Sequence, residues 1–158
     1  MNRFVVTLAS LAALAMAFVP GCGSDAGTSC EDNQVDCDGT CIDAIPATLQ
    51  GVSTQVFEKS CAYSTCHDAD SPAAGLSVHD MDAIIAAIDS PSGQDPNVMQ
   101  IAPGDSANSY IYRKMVGENM AATDVNGNAA TIMPPGSPLC APKVEAVRAW
   151  IDAGAPTE

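Results

Sequence analysis

The sequence is poor in basic residues and in aromatics. Six Lys and Arg stand against nineteen Asp and Glu, for a formal net charge of −13, and aromatic residues make up 4% of the chain with a single Trp. Such an excess of negative charge repels phosphate backbones and anionic head groups, so nucleic acid is not expected as a partner. Three signatures of common enzymes are also missing. There is no Gly-rich phosphate loop, no Gly-x-Ser-x-Gly nucleophile turn and no His-Glu-x-x-His zinc helix, which leaves hydrolysis without support. No segment reads as a convincing strand and no internal repeat is found. The scarcity of aromatics implies a modest core, for which a bound cofactor would compensate.

The N-terminal stretch has the architecture of an export signal. Arg3 precedes an apolar run from Phe4 to Val19, and no acidic residue occurs before Asp25. This order of charge and apolarity is that of a signal peptide. The run is short for a membrane span and has no basic flank on its far side, so removal is expected rather than stable spanning. It ends in Val19-Pro20-Gly21-Cys22, which resembles the lipobox of bacterial lipoproteins, with Pro20 in place of the usual small residue. The resemblance implies lipidation at Cys22; the alternative is ordinary cleavage nearby, with Cys22 left as a plain cysteine. Cleavage before Cys22 removes 21 of the 158 residues and leaves 137, enough for one domain. Loss of Arg3 takes the net charge from −13 to −14. The expected organisation is a signal peptide over 1–21, a flexible, disulfide-stapled tether over 22–47 and a domain over 48–158. The expected location is the cell envelope, lipid-anchored on the periplasmic side or at the outer membrane or surface.

Seven cysteines in a small exported chain suggest disulfides, because the compartment is oxidising. With Cys22 assigned to lipid and Cys61 and Cys66 set aside for the motif described below, Cys30, Cys37, Cys41 and Cys140 form an even set able to make two bridges. Their pairing cannot be read from the sequence. Asp36, Asp38 and Asp43 lie among the first three of these cysteines, but their spacing does not fit the twelve-residue calcium loop. They read as solvated turn residues.

Periodicity predicts several helices. One runs over Ser53–Tyr63, with Ser53 or Thr54 as cap and Val52, Val56, Phe57 and Cys61 on one face. Another follows Asp80 as cap, with Met81, Ile84, Ile85 and Ile88 inward. A third spans Ser106–Val116, with Tyr110, Ile111 and Met115 inward and Gly117 as a left-handed stop. The last has Pro142 in its first turn, a stripe of Val144, Val147, Trp150 and Ile151, and an end at Gly154-Ala155-Pro156. Between the last two lies a long connection without periodicity, closed by Met133-Pro134-Pro135. The expected fold class is all-α.

The chemistry concentrates in Cys61-Ala62-Tyr63-Ser64-Thr65-Cys66-His67. This is a Cys-x4-Cys-His arrangement, where the usual haem c attachment motif has two residues between the cysteines. Two thiols add to the haem vinyl groups as thioethers, and a His directly after the second Cys is thereby held beneath the iron. A spacer longer than two residues can loop out, whereas a shorter one could not reach both vinyls. A Met thioether on the other side of the iron raises the reduction potential toward that of an electron carrier. Met133 is the best candidate, because the two prolines after it restrict the backbone; Met115, Met120 and Met99 are rivals, of which Met115 looks like core.

Taken together, these residues resemble the exported cytochrome c-like domains of bacterial lipoproteins. The resemblance covers Val52 to Pro156 and includes VFEKSC before the motif, GLSV at Gly75 to Val78, IAPGDSANSYIYRK from Ile101 and VRAWIDAGAP at the close. It implies a small cytochrome c-like fold of short helices and long loops, with the first helix crossing the last near Phe57 and Trp150. It also implies one haem c bound through Cys61, Cys66, His67 and Met133, with His67 and Met133 on the iron. The implied function is electron transfer to a redox protein, basic to suit the acidic surface, from a membrane-held position and without catalysis; an open distal face would instead allow peroxide chemistry. Charge alone suggests Arg113, Lys114 and Tyr110 for the haem propionates, although such residues are more often the exposed side of a helix.

Three other readings stand beside this one. Cys61 and Cys66 could bridge each other or pair with Cys140, leaving His67 on the surface of a haem-free, disulfide-stapled interaction module. Zinc could use Cys61, Cys66, His67 and another Cys, but exported thiols tend to oxidise. His79 could replace Met133, though a His so placed is more often a turn residue.

Overall fold

The computed structural model describes residues 29–70, 72–124 and 126–158. The expected signal peptide and the Cys22 lipidation site lie outside them. The described chain opens with two short antiparallel strands, β1 (Gln34–Cys37) and β2 (Thr40–Asp43), paired from Gln34 with Asp43 to Cys37 with Thr40. The all-α expectation is therefore corrected to a small mixed fold. The turn explains the hairpin: Asp38 and Gly39 both hold positive φ, at 53° and 86°, which is the geometry that joins two twisted strands through two residues. The Asp36 carboxylate accepts from the Gly39 N–H at 2.7 Å and locks that turn.

The first helical stretch is continuous but not uniform. It comprises α1 (Leu49–Val52), a π-helical turn (Ser53–Phe57) and α2 (Glu58–Ser60). Thr48, not Ser53 or Thr54, caps it, its hydroxyl accepting from the Gly51 N–H at 3.1 Å. The π turn adds a residue to the helical cycle, and Val52, Val56 and Phe57 are all fully buried. A 3-10 turn follows at Ala73–Gly75, then α3 (Met81–Ala87), capped as expected by the Asp80 carboxylate, which accepts from the Ala83 N–H at 2.8 Å. Only part of the predicted α3 stripe turns inward. Ile84 is buried and Ile88 packs at the core's edge, whereas Met81 and Ile85 are exposed.

A second 3-10 turn (Ser106–Asn108) leads into α4 (Tyr110–Val116), which buries Tyr110, Ile111 and Met115 and ends at Gly117 with φ 78°. The last helix, α5 (Ala141–Asp152), carries Pro in its first turn and buries Val147, Trp150 and Ile151. One apolar cluster unites the elements, with Trp150, Val147 and Ile151 of α5 against Leu49, Val52, Val56 and Phe57 of the first helical stretch and Ile111 and Met115 of α4. The Trp150 indole N–H donates to the Pro156 carbonyl at 3.0 Å, which satisfies its polar atom and fastens the C-terminal residues over the core.

Two disulfides complete the frame. Cys30 bridges Cys41 within the hairpin, and Cys37 bridges Cys140 at the start of α5 across 103 residues. They are the four cysteines that the sequence left for pairing. Disulfides form and persist in oxidising surroundings, so they place the chain in an extracytoplasmic compartment. Among the described residues no helix is long and apolar enough to cross a membrane.

Candidate cofactor site

Between the first helical stretch, α4 and the loops on either side of α3 lies a cavity of about 210 Å³. Its wall is mostly apolar, with Phe57, Leu76, Val78, Ile111 and Met115 contributing. Cys61, His67 and Met133 also line it, although the chain delivers them from distant positions.

The cysteine motif begins where α2 stops. The Cys61 and Ala62 N–H groups both donate to the Phe57 carbonyl, at 2.8 and 3.0 Å, which tightens the helix end. The four-residue spacer then loops outward. The Cys66 N–H donates to the Tyr63 carbonyl at 2.8 Å, and the His67 N–H donates back to the Cys61 carbonyl at 3.2 Å, closing the loop with Tyr63 on its exposed side. Cys61 and His67 are thereby held close despite the spacer. Burial pushes the Cys61 thiol up to about 11; the Lys143 ammonium pulls the other way and the neighbouring Cys66 adds to the rise. Lys143 comes from α5, where its Nζ donates to the Ser60 hydroxyl at 3.0 Å.

Residues 72–79 fold back over His67. The Val78 N–H donates to the His67 carbonyl at 3.0 Å, the Ala73 N–H donates to the Cys66 carbonyl at 2.7 Å, and the Ser77 hydroxyl donates to the Asp68 carbonyl at 2.9 Å. The imidazole itself is oriented by Nδ1, which lies 2.8 Å from the Leu76 carbonyl oxygen. A carbonyl can only accept, so Nδ1 carries a proton, and in the neutral ring Nε2 then keeps its lone pair. Nε2 has no partner among the described residues. A neutral imidazole tied through one nitrogen and free at the other is the usual state of a metal-ligating His.

Met133 stands in the loop before α5. Its N–H donates to the Lys114 carbonyl at 2.7 Å, and the Met133-Pro134 peptide bond is cis. Of the rival methionines, Met115 also lines the cavity but belongs to the packed core, whereas Met99 and Met120 do not line it. His79 lies elsewhere, its ring between the Ser77 hydroxyl at 2.7 Å and the Asp80 carboxylate at 2.9 Å.

Cys66 is the exception among the candidates. It is half-buried and is not part of the cavity wall; its sulfur sits 3.8 Å from the Thr65 hydroxyl. Neither Cys61 nor Cys66 is bridged, and Cys140, offered by sequence as an alternative partner, is taken by Cys37. Among the described residues no three His, Cys, Asp or Glu side chains converge as metal ligands, so the zinc reading finds no ligand cluster. Of the polar part of the cavity, the sequence suggested only Lys114 and Tyr110, and those from charge and polarity alone. Gln94, Gln100, Lys114 and Asp124 all border it, with Gln100 and Lys114 buried.

The chain matches no protein-family model, no curated protein and no solved structure.

Proposed function

We propose that this chain is an extracytoplasmic electron carrier that holds one covalent haem c in the cavity lined by Cys61, His67 and Met133. The observation that carries the reading is the convergence on one apolar cavity of an oriented His67 with a free Nε2, the Met133 side chain and a thiol. Soft sulfur and neutral imidazole are the donors that low-spin iron takes in electron carriers. When bound, the group supplies a reversible one-electron change at iron.

The chain's own residues supply the rest. Cys61 and Cys66 would hold the group through its vinyl carbons, which for Cys66 would require the outward Tyr63–Cys66 loop to turn its sulfur inward. His67 is oriented through Leu76 and would be one iron ligand, and Phe57, Val78 and Ile111 would exclude water from the site. Met133 would be the other iron ligand, which would leave no open site for hydrogen peroxide and would suit transfer rather than catalysis. The acidic surface favours a basic redox partner, and a lipid on Cys22 would hold the carrier at the envelope membrane.

The test is a visible spectrum, oxidised and reduced, of protein from a host with c-type maturation, repeated after acid–acetone extraction. Haem bands that survive extraction and vanish in the Cys61→Ala/Cys66→Ala variant support the carrier. Protein made in that host without any haem overturns it and leaves a disulfide-stapled interaction module.

A further inference from the structure

α4 carries the three residues that charge and polarity single out for an anionic ligand group, and the structure separates them. Arg113 is half-buried and engaged, its Nε donating to the Ala107 carbonyl at 2.8 Å and its Nη2 to the Asn108 side chain at 2.6 Å. Tyr110 borders the cavity, but its hydroxyl donates to Gln94 Oε1 at 3.1 Å and accepts from the Ala121 N–H at 3.3 Å. Lys114 differs from both. It is 7% exposed, lines the cavity, and its ammonium has no hydrogen-bond or ion-pair partner among the described residues.

Its stem is covered while the ammonium keeps some contact with solvent, because no buried side-chain nitrogen among the described residues lacks a hydrogen bond; an ammonium left unpaired beside an apolar cavity is open to an anionic group. Among the described residues the one carboxylate that borders the cavity belongs to Asp124, and its oxygens accept from the Asn126 N–H, the Asn128 N–H and the Asn128 amide, at 2.9, 2.9 and 3.2 Å. Asp124 attracts Lys114 through space but forms no ion pair with it, and burial moves the Lys114 ammonium below its ordinary range. The other titratable side chains on the wall besides Lys114 are Cys61, His67 and Tyr110, none of them a carboxylate. The backbone of the same Lys114 holds Met133, so its position is fixed relative to the axial-ligand candidate.

We infer that Lys114 is the anchor for a carboxylate of the bound cofactor, a haem propionate, whose charge meets the unpaired ammonium on the cavity wall. The assignment rests on the haem reading above, and it makes Lys114 a binding residue rather than part of a helix's exposed side.

Iron mesoporphyrin IX and its dimethyl ester separate the two ideas, because neither has vinyl groups and only the first has free carboxylates. Each is titrated into the full chain made without c-type maturation, followed by the Soret band. The wild type is expected to bind the diacid roughly tenfold to a hundredfold more tightly than the diester, the range for one charge-assisted contact. Lys114→Met removes that preference while still binding the diester, and Lys114→Arg retains it. An equal preference in the wild type and Lys114→Met overturns the inference while leaving the haem reading intact. No preference in the wild type does the same without any variant, so a Lys114→Met chain that fails to fold does not protect the idea. Failure of the wild type to bind either porphyrin overturns the haem reading and the inference together.

Discussion

Cys61 shows how one side chain can be prepared for one chemistry and protected from another. Its thiol is pushed from 9.0 to about 11 by burial, so at pH 8 only about one in a thousand copies is thiolate. The reduced chain without cofactor should therefore be alkylated by iodoacetamide at Cys66 about tenfold or more faster than at Cys61, read by peptide mass spectrometry; equal rates would contradict the burial. The sign for stability follows from the same shift. A raised pKa means the folded state holds its proton more tightly, so this contribution is complete below pH 9 and is lost as pH rises through 11. Met133 and Met115 allow a second test, since both line the cavity. In haem-loaded protein, Met133→Leu should turn the spectrum from low spin to high spin while Met115→Leu leaves it unchanged; the opposite pattern would make Met115 the ligand. Cys61, His67 and Met133 could be singled out in the sequence because iron and thioether chemistry restrict the residue types. Lys114 was suggested by charge alone, alongside Arg113 and Tyr110, and could not be told from the exposed side of a helix, because its place on the cavity wall is decided by α4 packing beside the Asp124 loop.

At the scale of elements, local signals decided what could be read. Asp80 before an apolar run and Gly117 after one are strong boundary marks, and both work as expected. Thr48 was passed over as a cap because the apolar spacing was counted from Val52, whereas the helix starts at Leu49 on a less regular stretch and absorbs the offset in a π turn. The hairpin was missed because each strand has four residues and none is fully buried, so the alternation is faint; the Asp38-Gly39 pair was the available sign. The cap and its neighbour give an ordered pair of predictions. Thr48→Ala should cost about 1 kcal/mol, the usual worth of an N-cap hydroxyl. Gly51→Ala should cost more, about 2–3 kcal/mol, because a Cβ there would collide with the Pro46 carbonyl oxygen, which is backbone and cannot move aside. Chemical denaturation of the two variants checks the order, and Gly51→Ala as mild as Thr48→Ala would mean the Pro46 segment is not held against the helix.

For the whole molecule, the two disulfides differ mainly in how much chain they close. Cys30–Cys41 spans 11 residues within one hairpin, whereas Cys37–Cys140 spans 103 and joins the first described element to the last helix. Chain-entropy reasoning makes the longer loop worth about 2 kcal/mol more, from the logarithm of the loop lengths. Cys140 is also buried at the N-terminus of α5, so its loss loosens the helix that carries Lys143 toward Cys61 and Trp150 into the core. Cys37→Ala/Cys140→Ala should therefore lower the unfolding midpoint more than Cys30→Ala/Cys41→Ala, and it alone should reduce the fraction of chains carrying covalent haem, because Met133 lies in the loop that ends at Cys140. Equal losses of stability would show that the hairpin constrains the unfolded chain as strongly as the long bridge does. A haem yield unchanged by the Cys37–Cys140 deletion would show that the motif and the Met133 loop come together without the bridge. In an oxidising compartment, where the other four described cysteines are bridged, the two thiols of the motif stand apart, and the proposed thioether attachment would give them a fate that their neighbours cannot undo by exchange.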